Sequence, residues 1–83
     1  MKSHVRLYTL STCSHCKKAK RFLDESIISY EFTDVDLLSK EEKAAVLEEI
    51  RKVNPLCSFP TILIGDQVIA GFNEDKLSKA LGL

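Results

Sequence analysis

Thr12-Cys13-Ser14-His15-Cys16 lies where an apolar run, Val5-Arg6-Leu7-Tyr8-Thr9-Leu10, gives way to a basic helical pattern over residues 17–26. Two cysteines separated by two residues can bring both sulfurs together across one helical turn. A strand that feeds a helix through such a turn is a setting for thiol chemistry. The free N–H groups and the dipole of a helix N-terminus favour negative charge on whichever sulfur comes first. Cys13 is therefore the expected nucleophile, and Cys16, one turn in and better shielded, the expected resolving thiol. His15, when protonated, adds a positive charge beside the pair, with weaker and screened contributions from Lys17 and Lys18. The expectation is a small thiol–disulfide oxidoreductase with a dithiol cycle. Cys13 attacks a disulfide, and Cys16 then attacks Cys13 to release the reduced substrate.

The rest of the chain narrows the alternatives. With 83 residues, a single domain over 1–83 is expected. A composition of 45% hydrophobic and 29% charged residues is that of a globular chain, not a disordered one. The 12 basic and 12 acidic residues cancel, so no overall field directs the protein to nucleic acid or an anionic membrane. No apolar stretch approaches the roughly 20 residues of a membrane span. Met1-Lys2-Ser3-His4 runs into a strand too short for a secretory core, which leads to the expectation of a cytoplasmic protein without a leader. Three cysteines are an odd number, a poor fit to a structural disulfide framework. In a reducing compartment a close pair points to catalysis or metal binding instead.

Taken in order, residues 4–10 read as a first strand with apolar groups on both faces, the pattern of a strand covered on both sides. Ser11, Thr12 or Ser14 can cap the helix that follows. Ala19, Phe22, Leu23 and Ile27 mark its apolar face. Residues 29–34 alternate and are β-rich, giving a second strand and a right-handed βαβ unit. Ser39-Lys40-Glu41-Glu42 is a capping box that opens a helix running to about Asn54, with Val46, Leu47, Ile50 and Val53 as its buried stripe. Pro55 stops it. Residues 59–64 form a third strand with proline at its entry, and Gly65-Asp66 signals a type II′ hairpin into a strand over residues 67–70. Asn73 caps a last helix from Glu74 to Leu81, and Gly82 ends it. The order is β-α-β-α-β-β-α.

With these elements in place, the chain resembles the glutaredoxin branch of the thioredoxin superfamily. Three landmarks carry the resemblance: Cys13-Ser14-His15-Cys16 after the first strand, Ser58-Phe59-Pro60-Thr61, and Gly71-Phe72-Asn73-Glu74-Asp75 before the last helix. The resemblance implies an α/β thioredoxin-like (glutaredoxin) fold, a four-stranded mixed sheet flanked by three helices. It implies a cis bond before Pro60, with that proline lying against Cys13. The Phe59 backbone would then face outward, where an extended substrate can pair with it. Thr12, Ser58, Phe59, Pro60, Gly71, Phe72 and Asn73 become the expected substrate-binding residues. The chain differs from many glutaredoxins in carrying Ser14-His15 where they have Pro-Tyr, and Leu10 where they often have a glutathione-binding lysine. Its Gly71–Asp75 segment is similar to that of NrdH redoxins, small glutaredoxin-like donors reduced by thioredoxin reductase. The expected partners are disulfide-containing protein substrates, with glutathione or thioredoxin reductase as electron source. No tightly bound cofactor, no metal ligand and a monomeric state are expected.

Other readings of the same residues stand beside this one. Cys13 and Cys16 can form half of a zinc site, but no second Cys-x-x-Cys completes it. An iron–sulfur cluster bridged between subunits through Cys13 is the alternative function. Cys57 reads as a small half-buried loop residue or as a third redox thiol. His4 reads as a strand-end surface residue, and the basic cluster over residues 17–21 as a solvated face or a docking patch for an acidic partner.

Overall fold

The structure, a computed structural model, describes residues 4–83. The expectation about Met1, Lys2 and Ser3 lies outside the described residues. Strand β1 (Val5–Thr9) occupies the second position of a four-stranded sheet ordered β2-β1-β3-β4, where β2 is Glu31–Asp34, β3 is Thr61–Ile64 and β4 is Gln67–Ala70. β1 runs parallel to β2, with Thr9 opposite Asp34, and antiparallel to β3, with Tyr8 opposite Thr61. The Gly65-Asp66 turn joins β3 to β4 as an antiparallel hairpin, with φ of 56° at Gly65.

Alternation along the strands sends side chains to two cores. Val5 and Leu7 of β1, with Ile62 and Ile64 of β3 and Ile69 of β4, pack against Ala19 and Leu23 of helix α1 (Ser14–Glu25) and Leu77 of helix α3 (Glu74–Leu81). Tyr8 points the other way, joining Val35 and Ile50 beneath helix α2 (Lys40–Val53). Helices therefore cover both faces, which is why β1 carries apolar residues at consecutive positions. No described helix is long and apolar enough to cross a membrane.

Several boundaries differ from the sequence reading, each for a local reason. α1 begins at Ser14, and Cys13 itself is the N-cap residue, so none of Ser11, Thr12 or Ser14 caps it. β2 begins at Glu31, because the chain first turns through Ile27 at φ 56°, leaving Ile27 91% exposed and off the apolar face. A short 3₁₀ turn (Val35–Leu37) follows β2. β3 starts only at Thr61, after a cis Phe59–Pro60 bond. On α2 only Ile50 is fully buried, Val46 and Leu47 are half-buried, and Val53 is exposed. Ser39 caps this helix by accepting from the Glu42 backbone N–H, but the Glu42 carboxylate accepts from the Ser39 hydroxyl instead of reaching the backbone. Asn73 and Gly82 bound α3 as expected: Asn73 accepts from the Lys76 N–H, and Gly82 is left-handed.

Candidate active site

At one end of the sheet β1 and β2 finish, β3 begins and β4 finishes, so four connections leave from the same edge. They are the Leu10-to-Cys13 loop, the turn after Asp34, the Ser58-Phe59-Pro60 segment and Gly71. The Gly71 N–H donates to the Pro60 carbonyl at 2.7 Å, tying the last two together. Leu10, Cys57 and Phe59 all pack against the second core, which places the thiol loop beside the segment before β3. The three landmarks, remote in sequence, meet at this end because the β1–β3 and β3–β4 pairings are both antiparallel.

The thiol loop is built tightly. The Cys13 N–H closes a turn onto the Leu10 carbonyl at 3.1 Å, and the Cys13 carbonyl accepts the first helical bond from the Lys17 N–H, also at 3.1 Å. Asp36 holds the loop from the side, accepting from the Ser11 N–H at 2.8 Å and from the Ser11 hydroxyl. Those bonds keep the Asp36 carboxyl below its ordinary range.

The two sulfurs occupy different environments. Cys13 is half-buried and Cys16 has no exposed surface. Burial pushes the Cys13 thiol up, but the Cys16 backbone N–H, the Cys16 thiol and the His15 backbone N–H outweigh it, and the net result is a lowered pKa. Burial drives Cys16 the other way, to about 11, against the opposing effects of the Leu10 N–H and Lys20. The Leu10 N–H lies 3.5 Å from the Cys16 sulfur. His15 is exposed, and its contribution to Cys13 is a backbone N–H.

The expected binding residues lie on the loops that leave this end of the sheet, in the segments that begin or end at β1, β3 and β4. Thr12 and Asn73 are exposed, Ser58, Phe59, Gly71 and Phe72 are half-buried, and Pro60 is buried. Phe72 is engaged in packing, edge-on to Phe22 with centroids 6.3 Å apart, and Asn73 uses its oxygen as a helix cap. Cys57 is a free, half-buried thiol with a left-handed backbone, φ 49°. His4 sits at the far end of β1, 3.4 Å from Glu31, with both side chains exposed.

Five side chains not assigned to the site from sequence support it: Asp36, Asn54, Thr9, Asp34 and Lys20, the last read only as part of a basic cluster. Asn54 is 4% exposed and donates to the Ser58 hydroxyl and to Thr61 Oγ1, each at 3.0 Å, while the Thr61 hydroxyl donates to the Ser58 carbonyl at 2.7 Å. This knot shapes the segment leading to Pro60. Lys20 and Asp34 form an ion pair at 3.2 Å, and Asp34 accepts from the buried Thr9 hydroxyl. Asn54 just before Pro55 was the one legible signal, since a buried polar residue at a helix end needs partners.

A cavity of about 630 Å³ opens at the opposite end of the sheet, between His4, Ile27, Ile28, Tyr30 and Leu81, and it is lined by neither cysteine of the pair. Among the described residues no group of three or more His, Cys, Asp or Glu side chains is arranged to hold a metal ion.

Comparison with known proteins agrees with this geometry. The glutaredoxin family profile matches residues 5–69. The methanoredoxin of Methanosarcina acetivorans superposes with a TM-score of 0.94 at 37% identity, over 99% of this chain and 87% of that one. A glutaredoxin from Archaeoglobus fulgidus superposes with a TM-score of 0.89 at 35% identity, over 94% and 85% of the two chains. A glutaredoxin-like protein encoded in the rubredoxin operon of Clostridium pasteurianum is 30% identical over 77 residues, 93% of this chain and 96% of that protein. On the profile match, the fold and the placement of Cys13-Ser14-His15-Cys16, this chain belongs to the glutaredoxin family.

Proposed function

We propose that this protein is a dithiol thiol–disulfide oxidoreductase that donates electrons to protein or small-molecule disulfides. The observation that carries the reading is the asymmetry of the two sulfurs. Cys13 is reachable and its thiolate is favoured, whereas Cys16 is enclosed and keeps its proton. In the cycle the Cys13 thiolate attacks a substrate disulfide, forming a mixed disulfide and expelling one substrate sulfur as a thiolate that takes up a proton. Cys16 gives up its proton and attacks the Cys13 sulfur. The Cys13–Cys16 disulfide forms, the mixed disulfide breaks, and the second substrate thiol leaves. Two electrons pass from the pair to the substrate.

Thr12, Ser58, Phe59, Gly71, Phe72 and Asn73 form the rim on which a substrate docks, with Pro60 as its floor. Ser58 and Phe59 lie outside the strand ladder, which begins at Thr61, so the Phe59 backbone is the part of this segment left for an incoming chain to pair with. His15 is the exposed residue between the two thiols. The dithiol is regenerated by a soluble thiol such as glutathione or by a thioredoxin reductase, the latter favoured by the NrdH-like Gly71–Asp75 segment.

Cys16→Ser tests the cycle. Mixed with insulin or hydroxyethyl disulfide, this variant is expected to accumulate a mixed disulfide on Cys13, visible by non-reducing mass spectrometry, and to lose turnover of protein disulfides. Normal turnover without a trapped species would overturn the dithiol reading. Offering the oxidised protein glutathione with its reductase, and thioredoxin reductase with NADPH, in parallel identifies the electron source.

A further inference from the structure

We propose that the Lys20–Asp34 ion pair, one helical turn beyond Cys16, sets the rate at which Cys16 resolves the mixed disulfide, Lys20 speeding the step and Asp34 restraining it. The proposal rests on the dithiol reading above and names two positioning residues for it.

Lys20 follows Cys16 by four residues on α1, so the two share a helix face. Its ammonium is held from several sides. Nζ lies 3.2 Å from Asp34 Oδ1, with side-chain exposures of only 21% and 16%, and 3.9 Å from the centre of the Phe32 ring. The same Asp34 oxygen accepts from the Thr9 hydroxyl, whose residue has no exposed surface. A charge fixed in this way beside an enclosed sulfur is screened less by water than one on a free lysine.

The pair matters most in the mixed disulfide. In the free dithiol, Cys13 opposes ionisation of Cys16 through its charge and its hydrogen bond. Once Cys13 is bonded to a substrate sulfur, both of those effects vanish. What then acts on Cys16 is burial against it, and the Leu10 N–H and Lys20 in its favour. The other charged or titratable groups at this end are His15, Lys17 and Lys18 on α1, Asp36 on the turn after β2, Cys57 before β3, and Glu74 and Asp75 on the first turn of α3. Asp36 is taken up by Ser11, and His15, Lys17, Lys18, Glu74 and Asp75 are exposed. Lys20 is the partly buried cation on the face of Cys16, and Asp34 takes up part of its charge. In the step itself the Cys16 proton leaves, the Cys16–Cys13 bond forms, and the departing substrate thiolate takes a proton. Lys20 stays charged throughout.

The test reads resolution directly. In a Cys57→Ser background, reduced protein is mixed with Ellman's disulfide in a stopped-flow cell. The first nitrothiobenzoate release reports attack by Cys13 and the second reports resolution by Cys16. In Lys20→Met the loss of Cys16 thiolate outweighs the gain in its nucleophilicity, so the second release slows relative to the first, by about threefold for each tenfold of thiolate lost. Its pH profile moves to higher pH. Asp34→Asn, which keeps an oxygen for Thr9 and Lys20, quickens the second release by a similar factor and moves the profile to lower pH. Lys20→Arg restores the wild-type ratio. Opposite signs are what a packing defect does not produce. If Lys20→Met and Asp34→Asn change the ratio in the same direction, or leave it unchanged, the proposal is wrong. If the wild-type protein gives no second release, the dithiol cycle itself falls, and this proposal with it.

Discussion

Replacing Ile27 by glycine is expected to stabilise the protein, although it removes an apolar side chain. Helix α1 ends with Ile27 in the left-handed region, φ 56°, its N–H donating to the Asp24 carbonyl at 3.1 Å while the Ile28 N–H donates to the Leu23 carbonyl at 3.0 Å. This paired arrangement is a Schellman motif, whose left-handed position is ordinarily glycine. Helix α3 ends in the same way on Gly82, φ 75°, with the Leu83 N–H reaching the Ser78 carbonyl at 2.8 Å. The left-handed region costs an L residue about 1–2 kcal/mol, and β-branching places Ile at the upper end. Against this, glycine adds about 0.5–1 kcal/mol of unfolded-state entropy. Ile27 is 91% exposed, so the lost burial is about a tenth of a full isoleucine, roughly 0.2–0.3 kcal/mol. The net for Ile27→Gly is a gain of about 1 kcal/mol, or a rise in Tm of about 4–8 °C for a domain of this size. Gly82→Ala is the mirror experiment: a Cβ there meets nothing within 4 Å, so the left-handed backbone alone should cost about 0.5–1 kcal/mol. Thermal and urea unfolding of the reduced protein measure both. A lower Tm for Ile27→Gly would refute the reasoning and show that Ile27 contributes through contacts its exposure does not suggest.

Three further outcomes are expected. Asn54→Ala should destabilise by about 2 kcal/mol in urea unfolding, since the Ser58 and Thr61 hydroxyls lose a buried donor; a change below about 0.5 kcal/mol would show that the knot before Pro60 is held otherwise. The reduced protein should lose stability as pH rises from 9.0 through about 11, because the unfolded Cys16 thiol ionises before the folded one; Cys16→Ser should lack that fall, and identical curves would contradict the assignment. Iodoacetamide should alkylate Cys13 with an inflection below 9.0, the lowered direction of its thiol, and leave Cys16 unmodified in the folded protein at neutral pH. Preferential labelling of Cys16 would reverse the assigned roles.

The local grammar of this chain was readable residue by residue. Asn73 and Gly82 bracket α3, Ser39 opens α2, Gly65-Asp66 turns the hairpin, and Cys13 precedes a helix, because caps and turns depend on a few neighbouring backbone groups. The thiol order followed from the same local physics: the first sulfur meets free N–H groups, and the second lies a turn deeper. What local pattern misplaced were positions where one residue serves a remote need. Ile27 continued an apolar face by spacing, yet the chain must leave the helix there to lay β2 beside β1, and it turns at a residue with no glycine signal. Val53 fitted the stripe of α2, but the helix meets the sheet mainly through Ile50.

The support of Cys13-Ser14-His15-Cys16, Asn54 before Pro55 aside, belonged to tertiary structure. Asp36, Asp34 and Lys20 look like ordinary surface charges in sequence, and Asn54 like a helix end. They become part of the site because parallel β2 ends beside β1 and antiparallel β3 begins there, delivering their polar groups to one edge of the sheet. The sequence by itself determined which sulfur stands at the helix N-terminus; the folded sheet decided which charges surround the enclosed sulfur one turn on, because spacing along one helix is local and the neighbours of its face are not.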